Sequence, residues 1–215
     1  MFLVCFANLQ LEVVITRLFS ATMFYHFTFL AIALALFGVA ASGVYVFVKG
    51  ESLASDLRGH MARASRRFAI FALVALAYAM ANPMDIIIVT GSNAIPEFTT
   101  QQMWQLIFLV GITAIPFFYS GIVVSIALTY CREDTGRVYA WDLAGAAIAA
   151  VSTGLVLSLL GGPDAVLFAM VVAVAGAALL DARGLARWGY LAAAVVFLFW
   201  NLHRPVIRVP TAKGV

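Results

Sequence analysis

Four ionisable residues fall inside or at the edge of strongly apolar stretches. Glu12 and Arg17 lie in the run 1–19, His26 heads the run 24–48, and Asp85 sits within the run 68–90. Tyr25, Asn82 and Tyr119 share such surroundings, and Asp142 stands near the start of the run 139–160. A charge held in hydrocarbon costs on the order of 2–3 kcal/mol on insertion scales, so such groups must be paired, wet or used. On helices of alternating direction, Glu12, Arg17, His26 and Asp85 share the outer half of a bundle. Their carboxylates suit an ammonium group, which makes the set a candidate site for a cationic solute such as a polyamine. Its plainer reading is an ion pair of Arg17 with Glu12 or Asp85. Glu12 and Arg17 are five apart and do not stack as an i,i+4 pair. Asp142 belongs to the opposite end, where it suits a helix cap or a partner for Arg132 or Arg137.

The remaining chemistry-bearing residues form no constellation. Cys5 and Cys131 belong to no CxxC or Cys/His cluster, and His26, His60 and His203 are scattered. There is no glycine-rich phosphate loop, nucleophile elbow or haem-attachment motif. The sequence therefore predicts no catalytic residue, no metal, no cofactor and no nucleic-acid partner.

Composition defines what must position these side chains. The 215 residues are 64% hydrophobic and 11% charged, with a mean hydropathy of +1.03. Soluble domains do not have this balance, whereas a polytopic helix bundle in a lipid bilayer does. The apolar runs predict an all-α transmembrane domain over 1–203 with about seven spans, at 1–19, 24–48, 68–90, 104–130, 139–160, 165–180 and 188–202. Residues 204–215 read as a basic tail or the start of a missing soluble domain. The first run lacks a basic leader and a small-residue cleavage site, so it is expected to stay in the mature protein.

Small residues mark the expected contacts. Ala31, Ala35, Gly38 and Ser42 lie on related faces of the second span. In the fifth span, Gly145, Ala149 and Thr153 form one stripe, and Ala146, Ala150 and Gly154 form another. Two smooth stripes predict a helix packed on two sides, hence the central one. Pro83 predicts a break at Asn82, and Pro116 predicts a kink in the fourth span. Residues 52–66 read either as an amphipathic surface helix or as a solvated loop.

Lys and Arg concentrate in 49–67, 131–137 and 181–187, whereas 91–102 and 161–164 contain none. The positive-inside rule puts the basic segments in the cytoplasm, and with them the N-terminus. The expected location is the cell inner (plasma) membrane. Seven crossings would put the C-terminus outside, yet Arg204, Arg208 and Lys213 favour the inside. The last segment therefore either crosses or is re-entrant or interfacial.

Four blocks resemble a known family in their order and spacing. LEVVITRLFS at 11–20, YHFTFLAIALALFGVAASG at 25–43, IPFFYSGIVVSIAL at 115–128 and GRVYAWDLAGAAIAA at 136–150 are similar to blocks of the membrane-embedded spermidine synthase-like proteins. The resemblance implies a membrane region that precedes a soluble aminopropyltransferase-like domain of Rossmann type. No residue here matches that domain's nucleotide loop or catalytic acid, so the chain alone is not expected to be an enzyme. The resemblance implies a non-catalytic anchor or regulatory module for such a domain. Two alternatives stand beside it: a small transporter or binder of a cationic solute, and a structural subunit that docks other membrane subunits through its Ala/Gly faces.

The topology has a direct test. In a background lacking Cys5 and Cys131, single cysteines at Ser55 and Ser92 are exposed to a membrane-impermeant thiol reagent on intact cells. Labelling is expected at 92 and not at 55. The reverse pattern would invert the assignment, and a cysteine at Thr211 reports on the tail.

Overall fold

The computed structural model describes residues 1–22, 26–82, 100–131, 134–181 and 186–203. Seven α-helices account for nearly all of them, with no strand among the described residues. They are α1 (Phe2–Thr22), α2 (His26–Ala54), α3 (Leu57–Ala81), α4 (Thr100–Tyr130), α5 (Thr135–Leu160), α6 (Gly162–Leu180) and α7 (Ala186–His203). The first six include segments long and apolar enough to cross a membrane. Phe47, Val151, Leu159, Phe37 and Leu179 are each more than 60% exposed, a surface that suits acyl chains and not water.

Four helices form a ring of contacts, α1 to α6, α6 to α3, α3 to α4 and α4 back to α1. Around it, α2 packs on α4 and α1, α5 on α1, and α7 on α6. Ala165, Ala169, Ala173 and Ala177 recur every fourth residue of α6 and are all at most 1% exposed. That stripe, not one on α5, is the smooth central face.

The expected central position of α5 is therefore corrected. Its best apolar window is 17% buried, against 56% for α6 and 44% for α1. Gly145, Ala149 and Thr153 are buried against α1, where a Cβ on Gly145 would lie 2.5 Å from the Phe2 carbonyl oxygen. Ala150 and Gly154 are exposed, and a Cβ on Gly154 would meet nothing within 4 Å. Two stripes were present in the sequence, but only one has a helix against it. On α2, Gly38 lies where a Cβ would be 2.7 Å from Ala114 O and 2.8 Å from Phe117 Cβ. Ser42 is fully buried against Gly121 of α4.

Residues 52–66 are neither a separate surface helix nor a loop. α2 continues to Ala54, and α3 starts at Leu57 and runs on into the apolar region. Asp56 caps it, accepting a hydrogen bond from Gly59 N at 2.9 Å. The Arg, Ala and Met of this segment are strong helix formers, so charge does not interrupt the helix. α3 stops at Ala81 with Asn82 as its C-cap, just before Pro83. Residues 83–90 of the expected third span lie outside the described residues. α4 remains one helix through Pro116.

Contacts at both ends of α7 define its path. Arg187 and Tyr190 reach Asp181 at the C-cap of α6, while Asn201 bonds Asp164 in the first turn of α6 at 2.6 Å. α7 thus runs antiparallel along all of α6, and its 18 residues extend about 27 Å. It is one unbroken helix and is not among the six that are long and apolar enough to cross a membrane. The tail after His203 lies outside the described residues.

Adding a methyl group separates packed from unpacked glycines. Gly38→Ala and Gly145→Ala force a Cβ into backbone atoms and should each destabilise by about 1–3 kcal/mol. Gly154→Ala meets open space and should be neutral or stabilising by up to about 1 kcal/mol. Chemical denaturation in mixed micelles measures all three. Equal effects would mean that Gly38 and Gly145 are not contact points.

Candidate functional site

The residues singled out from sequence do not assemble into one site. Glu12 is half-buried midway along α1, and its carboxylate has no partner among the described residues. Arg17 is exposed and forms no ion pair among the described residues, which corrects the expected buried pair with Glu12. Five helical steps turn the side chains about 140° apart, so one faces the bundle interior while the other faces out. Asp85 and the side chain of His26 lie outside the described residues.

Asp142 is not a cap. α5 begins at Thr135, which leaves Asp142 about two turns inside the helix. It lies near the buried Cys5 of α1. Arg137 pairs with Asp134 at 3.6 Å on the open surface, and Arg132 is outside the described residues. Among those residues, no three His, Cys, Asp or Glu side chains converge as a metal site would require.

The structure brings other polar groups together. Arg66 of α3 forms an ion pair with Asp181, whose side chain is 6% exposed. The Tyr190 hydroxyl donates to the same carboxylate at 3.4 Å, and Arg187 donates to the Asp181 carbonyl at 3.3 Å. The Arg66 guanidinium lies 5.4 Å from the Tyr190 ring centroid, in cation–π contact. One carboxylate thus ties α3, α6 and α7 together. Both charges had looked like loop charges. The signal was positional: Arg66 lies between Ala62, Ser65 and Ala69, which are all buried, and Asp181 directly follows an apolar run.

Two amides deeper in α1 were also overlooked. Asn8 meets Ser120 of α4, and the fully buried Gln10 meets Thr153 of α5 at 3.0 Å. Each hydroxyl also bonds its own helix, Ser120 to Phe117 O at 2.9 Å and Thr153 to Ala149 O at 2.6 Å. A hydroxyl has one proton and two lone pairs. Each hydroxyl stands against the amide oxygen, Asn8 Oδ1 or Gln10 Oε1, and its one proton is shared between that oxygen and its own helix carbonyl. Gln10 Nε2 is buried without a hydrogen-bond partner among the described residues. These amides act as links between helices.

Among the described residues, the interior polar groups pair with one another across helices. What they do is join helices at chosen depths. Compared with family models, with curated proteins and with solved structures, the chain matches none. Its fold defines it as a multi-pass helical membrane protein.

Mutagenesis separates the ion pair from the unpaired arginine. Arg66→Gln and Asp181→Asn each break the ion pair and should cost about 3 kcal/mol. The double variant should fall short of the summed losses by about 1–3 kcal/mol. Arg17→Ala should change stability by less than about 0.5 kcal/mol. Unfolding in mixed micelles gives all four values; additive losses at 66 and 181 would rule out coupling.

Proposed function

We propose that this chain is a non-catalytic membrane domain. Its role is to hold a soluble aminopropyltransferase-like domain at the bilayer. The observation that carries this reading is the use of its interior polar groups. Asn8 with Ser120, Gln10 with Thr153 and Asn201 with Asp164 each close a contact between two helices. A carrier would instead aim such groups into a shared space.

The family-like blocks support the same reading. The block 115–128 contains Phe117, Ser120 and Gly121, which meet α2 or α1, and the block 136–150 contains Gly145 and Ala149, which pack on α1. These resembling residues are packing residues. They maintain a rigid bundle, as an anchor requires.

Glu12 favours a second reading, a binder or carrier of a cationic solute such as a polyamine. It is a half-buried carboxylate midway along a span, with no partner among the described residues.

Three measurements test these readings. Purified 215-residue protein should form no spermidine from putrescine and decarboxylated S-adenosylmethionine, and proteoliposomes should show no saturable putrescine uptake. Saturable uptake abolished by Glu12→Gln would replace the anchor with the carrier. The native reading frame beyond Val215 should encode a glycine-rich nucleotide loop and a catalytic acid. A stop codon there, with no such partner gene product co-purifying, would overturn the anchor reading.

A further inference from the structure

α2 and α3 both pack firmly on α4 but scarcely touch each other. The groove left between them is floored by α4. At the end of the bundle that carries the basic segment, it deepens into a cavity of about 40 Å³. Tyr45 of α2, His60, Arg63 and Arg67 of α3, and Tyr119 and Ile122 of α4 line it. None of the described lining residues is acidic. Among the described residues, Arg63 pairs with Asp56 at 3.5 Å, open to solvent on both sides. Such an exposed pair contributes little and leaves most of the guanidinium's donors free. The Arg67 guanidinium stands 5.6 Å from the Tyr119 ring centroid, and Tyr119 is stacked on Phe71. Aromatic contact fixes the direction of Arg67 without neutralising it.

The same line of α3 changes character along the helix axis. His60, Arg63 and Arg67 follow i, i+3, i+7 spacing, and Ile70 and Val74 continue the line from Arg67. Ile70 and Val74 are 57% and 41% exposed, and Phe47 and Val48 on the neighbouring α2 are 87% and 74% exposed. Cationic donors therefore sit at one level, with open apolar surface beside them. A phospholipid has the complementary order, a phosphate group followed by acyl chains.

We propose that this groove is a binding site for a phosphate oxyanion carried by an anionic phospholipid. Arg63 and Arg67 clasp the phosphate oxygens, His60 and the two tyrosine hydroxyls stand around them, and the acyl chains lie along Ile70 and Val74. Basic pockets between membrane helices recognise anionic headgroups by this charge pattern. Guanidinium donors match phosphate oxygens in geometry as well as sign. A zwitterionic headgroup brings its own ammonium group, which the arginines repel. The proposal holds whether or not the chain carries a soluble domain.

Native mass spectrometry of the protein in neutral detergent tests it, with phosphatidylglycerol, phosphatidylcholine and inorganic phosphate as probes. Wild type should retain phosphatidylglycerol in preference to phosphatidylcholine. The double variant Arg63→Gln/Arg67→Gln should bind phosphatidylglycerol at least about tenfold more weakly, because two charge-assisted contacts are lost. Arg63→Lys/Arg67→Lys keeps both charges and should retain the preference, which separates lost recognition from lost folding. Arg58→Gln, away from the groove, should bind as wild type does. Undiminished phosphatidylglycerol binding by the Gln double variant would overturn the proposal, as would equal retention of phosphatidylcholine by wild type. Binding of inorganic phosphate that displaces phosphatidylglycerol at millimolar concentration would identify a free-ion site and reject the lipid.

Discussion

Helices in a bilayer gain little by hiding apolar surface from one another, because lipid tails are as apolar as leucine. Cohesion must come from close backbone approach and from polar links, and the structure depends on both. Close approach occurs where the side chain is a hydrogen or a methyl group. Gly38 meets the backbone of α4, Gly145 meets that of α1, and the alanines of α6 face the centre of the ring. Polar links occur where a short side chain on one helix meets an amide or acid on the next. α1 combines the two, with Asn8 directed to α4, Gln10 to α5 and Val4 against Gly176 of α6.

Charge follows the same economy of depth. Among the described residues, the one ion pair below the surface, Arg66 with Asp181, lies at the bundle end rather than in its middle. There, a tyrosine hydroxyl and an aromatic face complete its environment. The amides occupy the deeper positions, where a neutral group loses less solvation than a charged one. Glu12 is the exception, an acid at mid-helix without a described partner. A packed scaffold with one unpaired acid sets the anchor and carrier readings side by side.

The basic end has two kinds of arginine. Arg66 is directed inward and ties α3 to α6 and α7, whereas Arg63 and Arg67 line the groove toward α2. Residues one position apart on a helix differ by about 100° in direction, so adjacent arginines serve opposite sides of α3. A single basic segment thus contributes to cohesion within the bundle and to the charge of its lipid-facing groove.

The sequence by itself determined the class, because runs of apolar residues long enough to span hydrocarbon leave the backbone no other way to satisfy its hydrogen bonds. It also located the contact-forming glycines Gly38 and Gly145, since a missing side chain is visible in the letters. Which stripe would find a partner was decided by tertiary structure alone. Gly145 and Gly154 both lie in four-residue stripes on one helix, yet one faces α1 and the other faces outward. Periodicity states that a face exists, not what covers it. The same limit hid Arg66 with Asp181, and Gln10 with Thr153, pairs more than a hundred residues apart in sequence. Only the packing of α3 against α6 and of α1 against α5 brings those side chains within reach of each other.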